Sequence, residues 1–247
     1  MNKDMCKKEI ISELQKNILQ WEGFRVPLAG RIPFKGLEQI ERSFPNSVFP
    51  TGAIHEFLSD KPEHEAATEG FISGLMNVLM QNGGICLWIS TSVSVFPPAL
   101  KAFGIEPDRI VFVCLNRQRD ILWALEEALK CRALAAVVAE VQELSFAESR
   151  RLQLVVEKSR VTGFILRKDT RKVGSTTCVA RWQITPLPSE TEEGLPGLGF
   201  PRWNVRLLKA RNGSPGEWTL EWHAGKFTPV VGTRNPAAEQ EEKRRAG

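Results

Sequence analysis

The chain contains no tyrosine and only three histidines, His55, His64 and His223. A mechanism built on a tyrosine hydroxyl is therefore excluded. The five cysteines (Cys6, Cys86, Cys114, Cys131 and Cys178) form no C-x-x-C pair and stand at no ligand spacing with the histidines. No metal site is expected from such a set. Three of the five lie in apolar runs, the pattern of buried, reduced thiols in a cytoplasmic protein. No run approaches the roughly eighteen uncharged apolar residues that a membrane span requires. The opening MNKDMCKKEI leads into a helix studded with polar residues, unlike a secretory signal. The sequence therefore predicts a cytoplasmic protein with no membrane association.

What is present is a normal globular balance. Hydrophobic residues make up 42% and charged residues 25% of 247, which excludes a disordered chain, a coiled-coil rod and a collagen. A chain of this length buries enough surface to fold without disulfides or metal. The net charge of +4 is mild, but its distribution is uneven. Residues 150–172 hold eight basic side chains against two acidic ones, whereas residues 52–70 hold five acids against Lys61.

Residues 5–21 read as a helix, with Ile10, Leu14, Ile18 and Trp21 on one apolar stripe. Residues 22–51 carry four prolines and read as a linker, interrupted by a short helix near 37–44. From residue 52 the pattern alternates. Strands are predicted at 52–58, 83–90, 109–115, 134–141 and 161–167, and helices at 64–81, 98–103, 118–134 and 146–159. Near-continuous apolar strands alternating with helices indicate a parallel sheet covered on both faces. After residue 172 the strands 178–184, 203–209 and 217–223 alternate apolar and polar residues, and RNGSPG (211–216) supplies a turn. The expected fold is thus α/β, a mainly parallel sheet ending in an antiparallel hairpin and preceded by an N-terminal helix. The expected units are residues 1–48 (helix and linker), 49–231 (core) and 232–247 (a polar, disordered tail).

The order of these elements resembles the core of RecA-type recombinases. FPTGAIHEF (49–57) is similar to that family's Leu-Pro-x-Gly-Arg-Ile-x-Glu segment. GICLWISTSVSVFPPALKAFGIEPDRI (84–110) runs without gaps against its second strand and following helix. LAAVVAEV (134–141) stands where the Walker B strand stands, and LLKARNG (207–213) is similar to a late Lys-x-Lys strand. The phosphate cradle, however, is degenerate. A P-loop needs closely spaced glycines and a lysine so that backbone N–H groups and one ammonium hold phosphates. SDKPEHEA (59–66) places Ser59 and His64 at the two glycines, Glu65 at the lysine and Ala66 at the Mg-binding hydroxyl. Ser92 falls at the catalytic glutamate of the recombinases, and Glu140 lies roughly at the Walker B aspartate. A carboxylate facing a phosphate costs several kcal/mol at modest dielectric. The acids of this segment also have a plainer reading, as partners of the dipole of the helix that follows. No catalytic residue, no nucleotide cofactor and no ATPase activity are expected.

Two non-hydrolysing relatives share such a core, the SulA cell-division inhibitors and the ImuA proteins. GAIHEFL, AESRRLQLVVEKSRVTGFILR (147–167) and above all PRWNVRLLKARNGSPGEWTLEWHAGKF (201–227) resemble ImuA segments. This resemblance implies a non-catalytic, RecA-like adaptor of error-prone translesion synthesis in the SOS response to DNA damage. It implies binding to a Y-family-like polymerase subunit, ImuB, with RecA and an error-prone C-family polymerase as further candidate partners. The alternative is a SulA-like inhibitor that binds FtsZ. Three surfaces are candidates for contact. Arg167, Lys168, Arg171 and Lys172 would meet DNA or another anion weakly and without sequence preference, or simply form a solvated face. Lys209 and Arg211 match the Lys-x-Lys positions and would serve a subunit interface or strand solvation. Ile10, Leu14, Ile18 and Trp21 would dock on a partner or pack on the chain's own core.

Overall fold

The computed structural model describes residues 34–81, 83–92, 95–168, 170, 173–189 and 199–230. The apolar stripe at Ile10, Leu14, Ile18 and Trp21, the cations Arg171 and Lys172, and the tail from 232 lie outside the described residues.

One nine-stranded sheet organises the described chain, in the order β3-β2-β4-β5-β1-β6-β7-β8-β9. Its strands are β1 (Ile54–Leu58), β2 (Ile85–Ser90), β3 (Ile110–Cys114), β4 (Leu134–Val141), β5 (Thr162–Arg167), β6 (Ala180–Leu187), β7 (Arg202–Ala210), β8 (Gly216–His223) and β9 (Lys226–Pro229). The first six positions in that order pair in parallel, and β7, β8 and β9 follow antiparallel. The helices are α1 (Glu38–Glu41), α2 (Pro62–Met80), α3 (Gln118–Lys130) and α4 (Phe146–Ser159). The segment Pro97–Phe103, expected as a short helix, is 3-10. The predicted hairpin is one half of a meander: β9 continues it beyond the Ala224–Gly225 turn, where both residues take positive φ.

Strand alternation sorts the side chains into two cores. Trp88, Ala136, Val138, Phe57, Phe164 and Leu166 point to one face, where α2 and the antiparallel strands complete the core. Ile54, Ile89, Val137, Ala139 and Ile165 point to the other, under α3 and α4. Burial on both sides explains why the parallel strands read as continuous apolar runs. On α2, Phe71, Ile72, Leu75 and Met76 are fully buried, and each contributes about 1.5–3 kcal/mol on leaving water. Helix α4 starts with a reciprocal cap: Ser145 Oγ accepts from the Glu148 N–H, and the Glu148 carboxylate accepts from the Ser145 N–H at 2.8 Å. Such a cap adds about 1 kcal/mol.

The stretch before β1 is not a spacer where it is described. Phe34, Leu37, Ile40, Phe44 and Phe49 are buried in the same core as α2, so residues 34–48, read as linker from their prolines, belong to the packed domain.

Candidate functional site

In an open parallel sheet, ligands bind beyond the C-terminal ends of the strands. Here β1, β5 and β4 end side by side, with Leu58 paired to Arg167 and Val141 paired to Arg167. The connection from β1 to α2 is only Ser59, Asp60 and Lys61. Pro62 opens the helix and has no N–H to offer, and the amides of His64 and Glu65 turn back to the Lys61 carbonyl at 3.0 Å. Ser59 is buried; its N–H bonds to the Arg167 carbonyl, and its hydroxyl lies 3.1 Å from that of Thr68. His64 sits 2.6 Å from the Asp60 carboxylate, whose pKa is lowered chiefly by that bond. Ala66 is exposed. Among these residues the backbone donors that a phosphate cradle would present are scarce or already engaged.

The decisive contact comes from the end of β5. Lys168 Nζ lies 3.0 Å from Glu65 and 2.9 Å from Glu140. The indole N–H of Trp88 donates to the other oxygen of Glu140 at 2.9 Å. Two carboxylates far apart in sequence thus hold one ammonium, and the indole holds one of those carboxylates. Partial burial opposes its charge, but the bonds to Glu140 and then Glu65 prevail and raise the Lys168 pKa. A phosphate approaching this crevice meets two carboxylates. A divalent cation must displace a tethered ammonium. Ser92 lies on the exposed segment after β2, where its carbonyl accepts the Ser90 hydroxyl at 2.6 Å.

A second ionic cluster lies at the centre of the sheet. Glu56 is fully buried and accepts from Arg167 Nη1 at 2.8 Å, Arg181 Nε at 2.7 Å and the Thr176 hydroxyl at 2.9 Å. Lys209 reaches the same loop, donating to the Thr176 carbonyl at 2.8 Å. The Arg211 N–H bonds to the Val179 carbonyl. This placement corrects the expectation for the basic run. Arg167 is 1% exposed and bound to Glu56, so it is withdrawn from any surface anion. Lys168 is held by two carboxylates. Arg150, Lys158 and Arg160 remain exposed.

His55, part of the segment similar to Gly-Ala-x-His-Glu, is structural. Its Nε2–H donates to the Pro50 carbonyl at 2.7 Å, and its Nδ1 accepts from the Trp182 indole at 3.2 Å. Its ring stacks on Phe49 at 4.9 Å. Burial lowers its pKa from 6.5 to about 4, against the opposing bond to Pro50, so the ring is a neutral core group. The thiols of Cys86 and Cys178 are pushed up to about 12 by burial and are not nucleophiles near neutral pH. Sequence reading passed over Glu56, Trp88 and Arg181. The available signal was a carboxylate and an indole N–H inside otherwise apolar strands, each needing a buried partner.

Comparisons with known proteins agree with this core. The crystal structure of the RadB recombinase superposes with a TM-score of 0.52 over 74% of this chain and 93% of that one, at 14% identity, which shows a RecA-like fold. No protein-family model matches the chain. Protein ImuA of Caulobacter vibrioides (strain NA1000 / CB15N) is 33% identical over 198 residues, covering 75% of this chain and 81% of its own. The chain belongs to the ImuA family. The same protein from C. vibrioides strain ATCC 19089 / CIP 103742 / CB 15 aligns with equal identity and coverage. In this ImuA-family chain, the RecA-like sheet is retained around a crevice that an internal lysine closes.

Proposed function

We propose that this ImuA-family chain is a non-catalytic adaptor of error-prone translesion synthesis, acting in the cytoplasm during the SOS response. It binds the Y-family-like polymerase subunit ImuB and presents a RecA-like surface to RecA. An error-prone C-family polymerase joins the same assembly. The observation that carries this reading is the Glu65–Lys168–Glu140 arrangement. It takes up both positions that would handle phosphate and metal in an ATPase, which supports surface recognition as the use of the fold. Arg167 drops out as a DNA contact, so protein contact is favoured over DNA contact at this end of the sheet.

Two measurements test the proposal together. Titration with a fluorescent ATP analogue and magnesium, followed by a phosphate-release assay, should give no saturable binding and no turnover. Mixing the purified chain with the ImuB subunit should give a complex on size exclusion. Micromolar ATP affinity with turnover would overturn the non-catalytic role, and failure to bind the subunit would remove the adaptor role. Filamentous cells on overproduction without DNA damage would instead support the SulA-like alternative.

A further inference from the structure

Helix α3 leaves the C-terminal end of β3 and returns to the start of β4, and α4 does the same between β4 and β5. Their C-termini therefore both lie at the end of the sheet where β4 and β5 begin, opposite the crevice that holds Lys168. Between them lies a groove of about 410 Å³, lined by Lys130, Arg132, Arg151, Leu154, Val155 and Lys158. The helices are tied across its flank by Arg151 to Glu126 at 2.6 Å, and Lys130 bonds to Glu127 at 2.6 Å. Arg132 reaches over to the Lys158 carbonyl at 3.2 Å. Four cations thus face two carboxylates.

The groove also has an apolar wall. Leu154 is 43% exposed on α4 and has Val155 beside it. A purely ionic ligand would leave that surface wet. Two helix C-termini end at the groove, and their carbonyl dipoles offset part of the basic charge. Those dipoles disfavour any anion, so a ligand that also covers the apolar wall gains more here than a phosphodiester backbone charged throughout. No aromatic ring lines the groove, so base stacking has no platform.

We propose that this groove docks an acidic segment of a partner protein that carries an apolar side chain. The apolar anchor covers Leu154 and Val155, and flanking carboxylates pair with Lys158, Arg132 and the outer nitrogens of Arg151. That the occupant is a protein rests on the adaptor reading above.

The test uses the full-length chain labelled with nitrogen-15 and two synthetic peptides. One carries a leucine pair flanked by glutamates; the other has serines in place of the leucines. A thymidine oligonucleotide serves as the third probe. The leucine peptide should shift amide signals at residues 130–132 and 151–159 saturably, and more weakly as salt rises. Leu154→Asp and Lys158→Glu, both at exposed positions, should each weaken binding about tenfold while leaving the spectrum dispersed. The serine peptide should bind about as weakly. If the leucine peptide gives no saturable shift there, or if the oligonucleotide alone saturates those residues, the assignment is overturned. None of these readouts involves the polymerase subunit. A groove that fails while the subunit still binds removes this site alone; peptide binding without subunit binding removes the adaptor reading alone.

Discussion

His55 shows how one buried side chain makes stability depend on pH. Its pKa falls from 6.5 to about 4 on folding, so between those values the unfolded chain holds the extra proton. Its contribution is complete above about pH 6.5 and is lost as pH falls toward 4, by about 3 kcal/mol. Denaturant midpoints measured across that window should therefore decline more steeply for the natural chain than for His55→Gln. Parallel curves would mean that the imidazole accepts its proton without penalty. At Lys168 the argument concerns charge. Replacing it by methionine leaves Glu140, almost fully buried, facing Glu65 without a cation. Breaking a fully buried pair costs about 3–5 kcal/mol. Lys168 is 34% exposed, so solvent screening reduces this to about 2 kcal/mol. Lys168→Met should melt about 5 °C lower, and adding Glu140→Gln should restore part of the loss. An unchanged melting point would show that the ammonium is idle.

At the scale of elements, α2 meets the side chains of the last two strands without room to spare. Gly74 sits in the middle of α2, where glycine costs about 1 kcal/mol relative to alanine. A Cβ there would lie 2.5 Å from the Phe227 ring and 2.9 Å from the Trp222 ring. Both rings are buried, and the Trp222 indole is fixed by a bond to the Ala102 carbonyl. Overpacking exceeds the propensity gain, so Gly74→Ala should destabilise by about 2 kcal/mol in urea unfolding. A gain in stability would mean that the rings move aside freely. The same junction explains what sequence reading missed. KFTP after a glycine turn is too short and mixed to signal a strand, and only pairing with β8 makes it one. By contrast, LAAVVAEV and FAESRRLQLVVEKS matched their predicted bounds, because an unbroken apolar run and a reciprocal cap are local signals.

For the whole molecule, the fold was legible because alternation of period and apolar content survives without knowledge of contacts. The site was legible only in part. Degeneracy of SDKPEHEA could be read residue by residue, since a glutamate cannot replace a P-loop lysine. The fate of the basic run could not. Arg167 and Glu56 are 111 residues apart, and Arg181 and Glu56 are 125 apart, so only sheet assembly decides which cations stay on the surface. A string of arginines and lysines on paper carries no record of the carboxylates it will meet. Among the described residues, Lys130, Arg132, Arg151 and Lys158 gather where α3 and α4 end, whereas Arg167 and Lys168 at the end of β5 are held by carboxylates.

The bond between Trp88 and Glu140 gives this crevice an optical reporter. With tyrosine absent, ultraviolet emission from the folded chain comes from indoles alone, and Trp88 is the one wired to the carboxylate that Lys168 neutralises. Opening or recharging that pocket, by mutation or by an incoming ion, changes the electric field along one buried indole among seven, so the difference in emission between the natural chain and Trp88→Phe follows it without any added dye.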